Sequence, residues 1–240
     1  MSKHQQLLEG KYNYIKEGKT FCEEIFTFQR DEKFNGNYKM EADVLARVDT
    51  GEFLKIQVEY ETTYQYEPLR VRIKRSLGKK ESLEEYWVDH KDKVIHYRFH
   101  VDSFKKETEG YFNTKFHIIT PAFSTMMLMA LNKKVDPVHR TVYTTFSTNN
   151  VWEYEGTFQE QNLYLESLNH EPVNVKVRGN ELQAHVYALF DGDKSERKTP
   201  EGSKIYASKY YMVPYKAELA EEIVIEIEKL KNLESAGVKI

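Results

Sequence analysis

The chain has 240 residues, enough for one large domain with a substantial buried core, and its 35 Lys and Arg against 38 Asp and Glu give a formal net charge of −3. This balance excludes the strongly basic surface that nucleic acid requires, so we expect no nucleic-acid partner. The one cysteine, Cys22, excludes an internal disulfide and is typical of a reducing compartment. Apolar runs fall short of the ~20 residues that cross a bilayer, and the N-terminus lacks an apolar signal-peptide core. We therefore expect a cytoplasmic protein without a transmembrane segment.

The N-terminal half is predicted to form a meander of antiparallel strands. Its most regular segment, Phe53–Glu67, alternates apolar or aromatic side chains with charged and polar ones, which indicates one long strand with a dry face and a wet face. Short connections such as Asp49-Thr50-Gly51 carry turn residues and predict antiparallel neighbours. The predicted strands are Lys11–Ile15, Phe21–Arg30, Gly36–Val48, Phe53–Glu67, Leu69–Leu77, Leu83–Asp89 and Lys93–Val101.

One apolar helix interrupts the strands. Thr120 is a suitable N-cap, Pro121 fits the first helical position, and Ala122–Leu131 is apolar nearly all round, which predicts a buried helix. A second, amphipathic helix is predicted from Tyr215 to Ser235, with acidic residues early and lysines late. Between the two helices the predicted strands are Val135–Asn149, Val151–Gln159, Asn162–Leu168, Val173–Arg178, Glu181–Phe190 and Ser203–Val213.

The order of these elements predicts the fold class. Two runs of strands flank one buried helix, and neither a repeat nor a low-complexity linker separates them. We therefore expect a single domain over residues 1–240. It is mainly β, with a large, curved antiparallel sheet of the β-roll or half-barrel type that wraps the central helix, and it ends in a C-terminal helix.

A metal site is not indicated by the histidines. His96 and His100 have a suggestive spacing, but the intervening Tyr97 and Phe99 alternate with them as on a strand. Four strand residues separate the two imidazoles by ~13 Å, whereas a shared ion would need ligand bonds of about 2 Å. We expect no metal at this pair.

The polar segment Asp191–Gly202 begins like a calcium loop. Glu196 stands where such a loop needs its sharp-turn glycine, and Gly202 stands where it needs a bidentate glutamate. The segment is therefore predicted to be a polar hairpin tip. Phosphate-loop, dinucleotide and zinc-protease motifs are likewise absent from the sequence, and we expect no cofactor.

One enzymatic alternative stays open. Glu59 and Glu61 lie two residues apart on the wet face of the long predicted strand, about 7 Å from each other, and could act as paired carboxylates. With His96 and His100 they would form a polar site if the wet face pointed into the curve of the sheet. Surface carboxylates on a strand exterior are the commoner explanation, so we expect a protein without catalytic residues.

An apolar binding site is the leading functional prediction. The central helix is rich in methionine, whose flexible thioether fills irregular cores and also adapts to varied apolar ligands. Core filling is the simpler explanation, and a wall of a ligand cleft is the alternative. The predicted ligand-binding residues are Tyr60, Tyr64 and Tyr66 on the long strand, and Phe123, Met126, Met127 and Met129 on the helix.

The opening segment, GKYNYIKEGKTFCEEIFTF, and the mid-chain helix, TPAFSTMMLMAL, resemble in their order the spiral β-roll or half-barrel proteins described as glycolipid-binding. They resemble more distantly the bacterial lipoprotein carrier LolA. The resemblance is architectural, and it implies a non-catalytic carrier for a hydrophobic or amphipathic ligand, such as a glycolipid, another lipid or an apolar small molecule. The alternatives are an enzyme with a polar site inside the sheet, and a structural or assembly protein whose C-terminal helix docks on a partner.

Overall fold

The computed structural model describes residues 4–31, 36–191, 203–219 and 222–233. In this part of the chain, sixteen strands form one large, open, curved sheet, and a single short helix accompanies them. The predicted fold class, a mainly β protein built on a large curved antiparallel sheet, is confirmed. No helix of the described residues is long and apolar enough to cross a membrane.

The first eight strands form a meander in which each strand pairs antiparallel with the next. The seven strands predicted for this half are confirmed to within several residues at their ends, and β8 was not predicted. The strands are β1 His4–Lys16, β2 Lys19–Asp31, β3 Tyr38–Arg47, β4 Phe53–Thr62, β5 Pro68–Leu77, β6 Lys80–Asp89, β7 Val94–Val101 and β8 Phe104–Tyr111.

The long predicted strand ends earlier than its alternation suggested. Strand β4 stops at Thr62, because the next residues form a tight turn in which the Thr63 N–H donates to the Glu67 carbonyl. The Thr63 hydroxyl accepts from the Gln65 and Glu67 N–H groups, and Tyr66 adopts a positive φ of 62°. A threonine whose hydroxyl satisfies local N–H groups stabilises such a turn in place of a strand ladder.

The second half supplies the central helix and eight more strands. Residues 151–158, predicted to form a strand, do not form one. The elements are β9 Phe116–Ile118, a 3₁₀ turn Phe123–Thr125, α1 Met126–Asn132, β10 Thr141–Ser147, β11 Gln159–Ser167, β12 Val173–Val177, β13 Asn180–Asp191, β14 Ser203–Ala207, β15 Pro214–Glu218 and β16 Val224–Asn232. Strand β9 pairs parallel with β10, whereas every other pairing is antiparallel, and β16 pairs with β1.

The predicted C-terminal helix is wrong over the described residues of its range. Residues 214–218 and 224–232 form strands β15 and β16 instead. Ile225 and Ile227 are buried while Glu226 and Glu228 point away from the core, so the segment also has a period of two. The edge of β1 decides between the two patterns, because β16 satisfies the backbone hydrogen bonds that β1 would otherwise leave open.

The sheet curls so that its later part covers the inner face of its earlier strands. The hydroxyl of Tyr60, on β4, is hydrogen-bonded to His117 of β9, and the ring of Phe99, on β7, contacts Tyr154. The helix lies in the interior, as predicted: Leu128 is 1% exposed. The apolar faces of β4 and β5 also point inward as predicted, since Val58, Tyr60, Val71 and Ile73 are all buried.

A glycine in β1 permits close packing in this core. A Cβ built on Gly10 would stand 2.3 Å from Cε1 of Phe26, whose ring is fully buried and stacks on Tyr12. We predict that Gly10→Ala destabilises the protein by about 1–3 kcal/mol, since overpacking a filled core forces neighbouring groups to shift. Urea unfolding measures the effect. In a Phe26→Leu background the same substitution should cost much less, and purely additive effects would contradict the explanation.

Candidate functional site

The predicted interior residues lie in one buried cluster. Tyr60 is 0%, Met127 1% and Met129 2% exposed, and Phe123 packs edge-on against Tyr12. A side chain that lined a ligand-sized cavity would keep accessible surface, so neighbouring protein atoms already fill the space around these residues. Met126 is partly buried against the same cluster.

Of the two later tyrosines of the predicted site, Tyr64 is exposed and Tyr66 is partly buried at the margin of this cluster. Tyr64 lies in the turn after β4 and is 58% exposed. Tyr66 lies in the same turn and stacks on Tyr38, with ring centroids 4.6 Å apart. The structure therefore places Tyr60 with the helix and separates Tyr64 and Tyr66 from it, because the chain leaves the strand before either residue.

A tyrosine–histidine pair holds β9 against β4. The Tyr60 hydroxyl accepts a hydrogen bond from the Ile118 N–H at 3.0 Å and is also hydrogen-bonded to Nδ1 of His117 at 3.0 Å. The two rings stack with centroids 5.1 Å apart. Burial lowers the pKa of His117 to about 3, because desolvation disfavours the imidazolium.

A buried glutamate holds the start of the helical segment. The Glu24 carboxylate accepts the Phe123 N–H at 2.8 Å and the Ser124 N–H at 2.9 Å, and the Tyr14 hydroxyl also donates to it. These first N–H groups have no partner within the helix, so a carboxylate of β2 satisfies them. Burial raises the pKa of Glu24, and the hydrogen bonds it accepts oppose that rise.

A second buried glutamate joins the sheet to the loop after β10. Glu84 is 1% exposed and pairs with Arg75 at 2.6 Å. The hydroxyls of Tyr86 and Tyr97 donate to its other oxygen at 3.1 and 3.0 Å, and Thr148 also donates to it. Because these four groups surround the carboxylate with donors, the cluster is a structural cross-link rather than an open site.

A surface cleft lies where three connections meet at one end of the sheet. It encloses about 140 Å³, and we call it the Phe112 cleft. Its floor is aromatic: the Phe112 and Phe116 rings lie 4.6 Å apart, and His90 meets Phe112 edge-on at 5.7 Å. The cleft is lined by Glu67, Pro68, His90, Lys93, Phe112, Asn113, Thr114, Lys115 and Phe116.

The rim of the cleft is polar and charged. Nζ of Lys115 lies 3.8 Å from Glu67 and donates to the Asn132 carbonyl at 3.2 Å. Lys93 is exposed and has no ion-pair partner among the described residues, and it adopts a positive φ of 56°. An aromatic floor below a charged rim is the arrangement that amphipathic molecules require.

The aromatic floor continues into the interior. Phe116 meets Phe146 edge-on at 5.3 Å, and Phe146 meets Phe158 at 5.5 Å. Phe158 in turn contacts Tyr97, whose hydroxyl binds Glu84. Phe116 also belongs to the buried cluster that contains Tyr60, Met127 and Met129, so the cleft adjoins the predicted interior site. The sequence offered no signal for the cleft, because its residues come from three connections far apart in the chain.

The polar residues of the enzymatic alternative are not gathered. Glu59 pairs with Lys39 at 3.1 Å, and its pKa is lowered although its partial burial opposes the change. His96 lies on the same outer face of the sheet but contacts Glu109, at 3.0 Å, near the edge strand β8. Strands β4 and β7 lie three positions apart in the sheet, so Glu59 and His96 are separated by at least ~14 Å.

Metal-ligating residues are not clustered either. Groups of three or more His, Cys, Asp or Glu side chains that could hold an ion do not occur in residues 4–31, 36–191, 203–219 and 222–233. The calcium-like segment Asp191–Gly202 lies, apart from the backbone of Asp191 at the end of β13, outside the described residues.

Comparisons with known proteins identify no family for this chain. No family model and no curated protein matches it. Among solved structures, it is similar to a β-barrel-like protein of the domain of unknown function DUF1849 from Brucella abortus, with 12% identity, 97% of this chain and 98% of that chain covered, and a TM-score of 0.49. It is also similar to a DUF1089 family protein from Pseudomonas aeruginosa, with 7% identity, 79% and 87% coverage and a TM-score of 0.49. Similarity at this level carries no argument about function, and the resemblance to glycolipid-binding β-rolls and to LolA stays a prediction.

We predict that Glu84→Gln destabilises the protein by about 3–5 kcal/mol, because it leaves the Arg75 guanidinium buried without a counter-charge. Chemical denaturation measures the loss. Glu81→Gln, on the same strand but at the surface beside Lys74, should leave the unfolding midpoint unchanged. Equal effects of the two substitutions would contradict the structural role of the Glu84 cluster.

We predict that His117 makes the protein less stable in acid. The folded protein keeps this imidazole neutral down to about pH 3, whereas the unfolded chain takes up a proton below about pH 6.5. The contribution of His117 to the free energy of unfolding is therefore complete above pH 6.5. It falls as the pH drops toward 3, by up to about 1.4 kcal/mol per pH unit.

Urea unfolding between pH 7 and 4 measures this slope. His117→Gln, which can still accept from Tyr60, should flatten it, whereas replacing His139, whose side chain is 79% exposed, should not. Identical slopes in the wild type and in His117→Gln would refute the assignment.

Proposed function

We propose that this protein is a non-catalytic binding protein for a hydrophobic or amphipathic ligand, and that the apolar part of the ligand enters at the Phe112 cleft. The observation that carries the proposal is the aromatic floor of Phe112 and Phe116 beneath a charged rim. Apolar walls with a few polar groups at the edge are the common composition of small-molecule sites.

The volume of the cleft limits what it can hold. About 140 Å³ is close to the ~150 Å³ of an engineered apolar cavity that binds benzene. The cleft therefore has room for one ring or a short alkyl segment, while a sugar or another polar group would stay at the rim. A glycoside with a single aromatic ring matches these dimensions.

A longer ligand would reach the interior predicted from the sequence. Beyond the cleft lie His117 and Tyr60, and the buried cluster that they join also contains Phe123, Met127 and Met129. Since these side chains are packed, an acyl chain could lie between Tyr60 and the helix only if the helix moved. The Glu24 hydrogen bonds at the start of the helical segment would resist that movement.

The test compares two glycosides. Phenyl β-glucoside should bind to the protein as it stands, while octyl β-glucoside requires the helix to move; glucose alone should not bind. Saturation-transfer NMR and calorimetry measure the binding. Two further measurements test for a larger ligand. Native mass spectrometry after gentle purification detects a bound molecule, and a fluorescent lipid reports uptake.

Two variants and a matched control locate the site. Phe112→Ser should weaken phenyl β-glucoside binding at least about fivefold, since one aromatic wall is lost. Asn113→Trp, at the exposed rim, should block the cleft without changing its floor. Phe104→Ser removes another exposed aromatic ring, at the opposite end of β8, and should have no effect. A homogeneous apo mass, no lipid uptake and no glycoside binding would refute the proposal.

A further inference from the structure

Three arginines converge on one carboxylate on the outer face of the sheet. Glu85 of β6 is 8% exposed, and its Oε1 lies 3.2 Å from Nη2 of Arg70 and 3.6 Å from Nε of Arg72. Its Oε2 lies 3.4 Å from Nη1 of Arg98. The strand register explains the convergence, because Arg72 and Arg98 stand directly opposite Glu85 on the two neighbouring strands.

These guanidinium groups have more donors than the protein satisfies. Each carries about five N–H donors, yet with the described residues the three groups make four side-chain hydrogen bonds. Three of these four are 3.2 Å or longer, and Nε of Arg72 is buried without a hydrogen-bond partner. Among the described residues, Arg70 forms its ion pair with Glu85 alone.

A shallow depression gives access to these donors. It measures about 380 Å³ and is lined by Arg70, Glu85, Trp87 and Arg98. The Arg98 guanidinium lies 4.9 Å from the Trp87 ring centroid, and the His96 ring stacks on Trp87 with centroids 6.0 Å apart. Aromatic contacts of this kind hold a guanidinium plane in a fixed direction.

The surrounding charges set the expected affinity. The five carboxylates of Glu85 and its flanking rows outnumber the three arginines, and Lys39 and Lys105 bring the local charge close to zero, so the field at long range is weak and binding depends on direct contact. Two of the four flanking carboxylates have lysine partners, Lys39 for Glu59 and Lys105 for Glu107. The flanking acidic residues on the same rows are Glu59, Glu61, Glu107 and Glu109.

We propose that this depression is an oxyanion site that takes a phosphate group. Glu85 holds the three guanidinium groups from below, and a phosphate above would accept from the N–H groups of Arg70 and Arg98 that the protein leaves unused. Planar guanidinium groups that can donate in pairs are the preferred partners of phosphate oxygens. The site is separate from the Phe112 cleft and independent of it.

Heteronuclear NMR at constant ionic strength tests the site. The indole resonance of Trp87, assigned with Trp152→Phe, and the arginine Nε resonances are followed while inorganic phosphate, glycerol phosphate or acetate is added. We expect saturable shifts with both phosphates in the millimolar range and smaller ones with acetate. Sedimentation with phosphatidylcholine vesicles, with and without phosphatidic acid, distinguishes a lipid headgroup from a free phosphate as the source.

Variants decide whether the shifts report this site. Arg70→Gln and Arg98→Gln should each weaken phosphate binding at least about tenfold, since a charge-assisted bond is lost. Arg140→Gln is the matched control, because Arg140 also pairs with one glutamate, Glu166, and lies over an aromatic ring, Phe190; it should leave binding unchanged. Absence of shifts up to ~50 mM phosphate, or equal shifts in Arg70→Gln, would overturn the proposal.

Discussion

Hydrogen bonds between buried side chains and the backbone N–H groups of residues 117–125 hold the interior of this protein together. A segment that leaves the sheet and enters the core brings N–H groups that have no ladder partner, and each would cost about 1–3 kcal/mol if left unpaired. Glu24 and Tyr60 accept such groups from three residues of this segment. The helical segment can therefore be buried away from water, because the N–H groups of its first turn have acceptors.

The same constraint explains why we propose the ligand site at the end of the sheet and not in the interior. Inside, Tyr60, Met127 and Met129 are packed by the segment that the hydrogen bonds hold in place. At the end of the sheet, the connections around Phe112 leave the regular ladder and expose an aromatic floor beside charged side chains. Binding deeper than the cleft would require breaking hydrogen bonds as well as apolar contacts.

Much of the architecture could be predicted because alternation along a strand records which face is buried. Val58, Tyr60, Val71 and Ile73 point inward as their alternation predicts. The predicted C-terminal helix was wrong because its sequence fits two periods. Ile223 and Ile227 fit the apolar stripe of a helix, while Ile225 and Ile227 fit the buried face of a strand. Pairing with β1, more than two hundred residues away in the chain, selects the strand. The cleft could not be predicted at all, since its residues meet only after the sheet has curled.

The sequence by itself determined that this protein is a curved, mainly β structure with one buried apolar helix, because side-chain periodicity and burial are local properties. Only the tertiary structure decided three further matters: that the last segments are strands, that Phe112 and Phe116 form a cleft, and that three arginines meet at Glu85. The first depends on pairing with β1, more than two hundred residues away in the chain, whereas the other two depend on the register of neighbouring strands and on the paths of their connections. A local pattern cannot encode which distant edge it will meet.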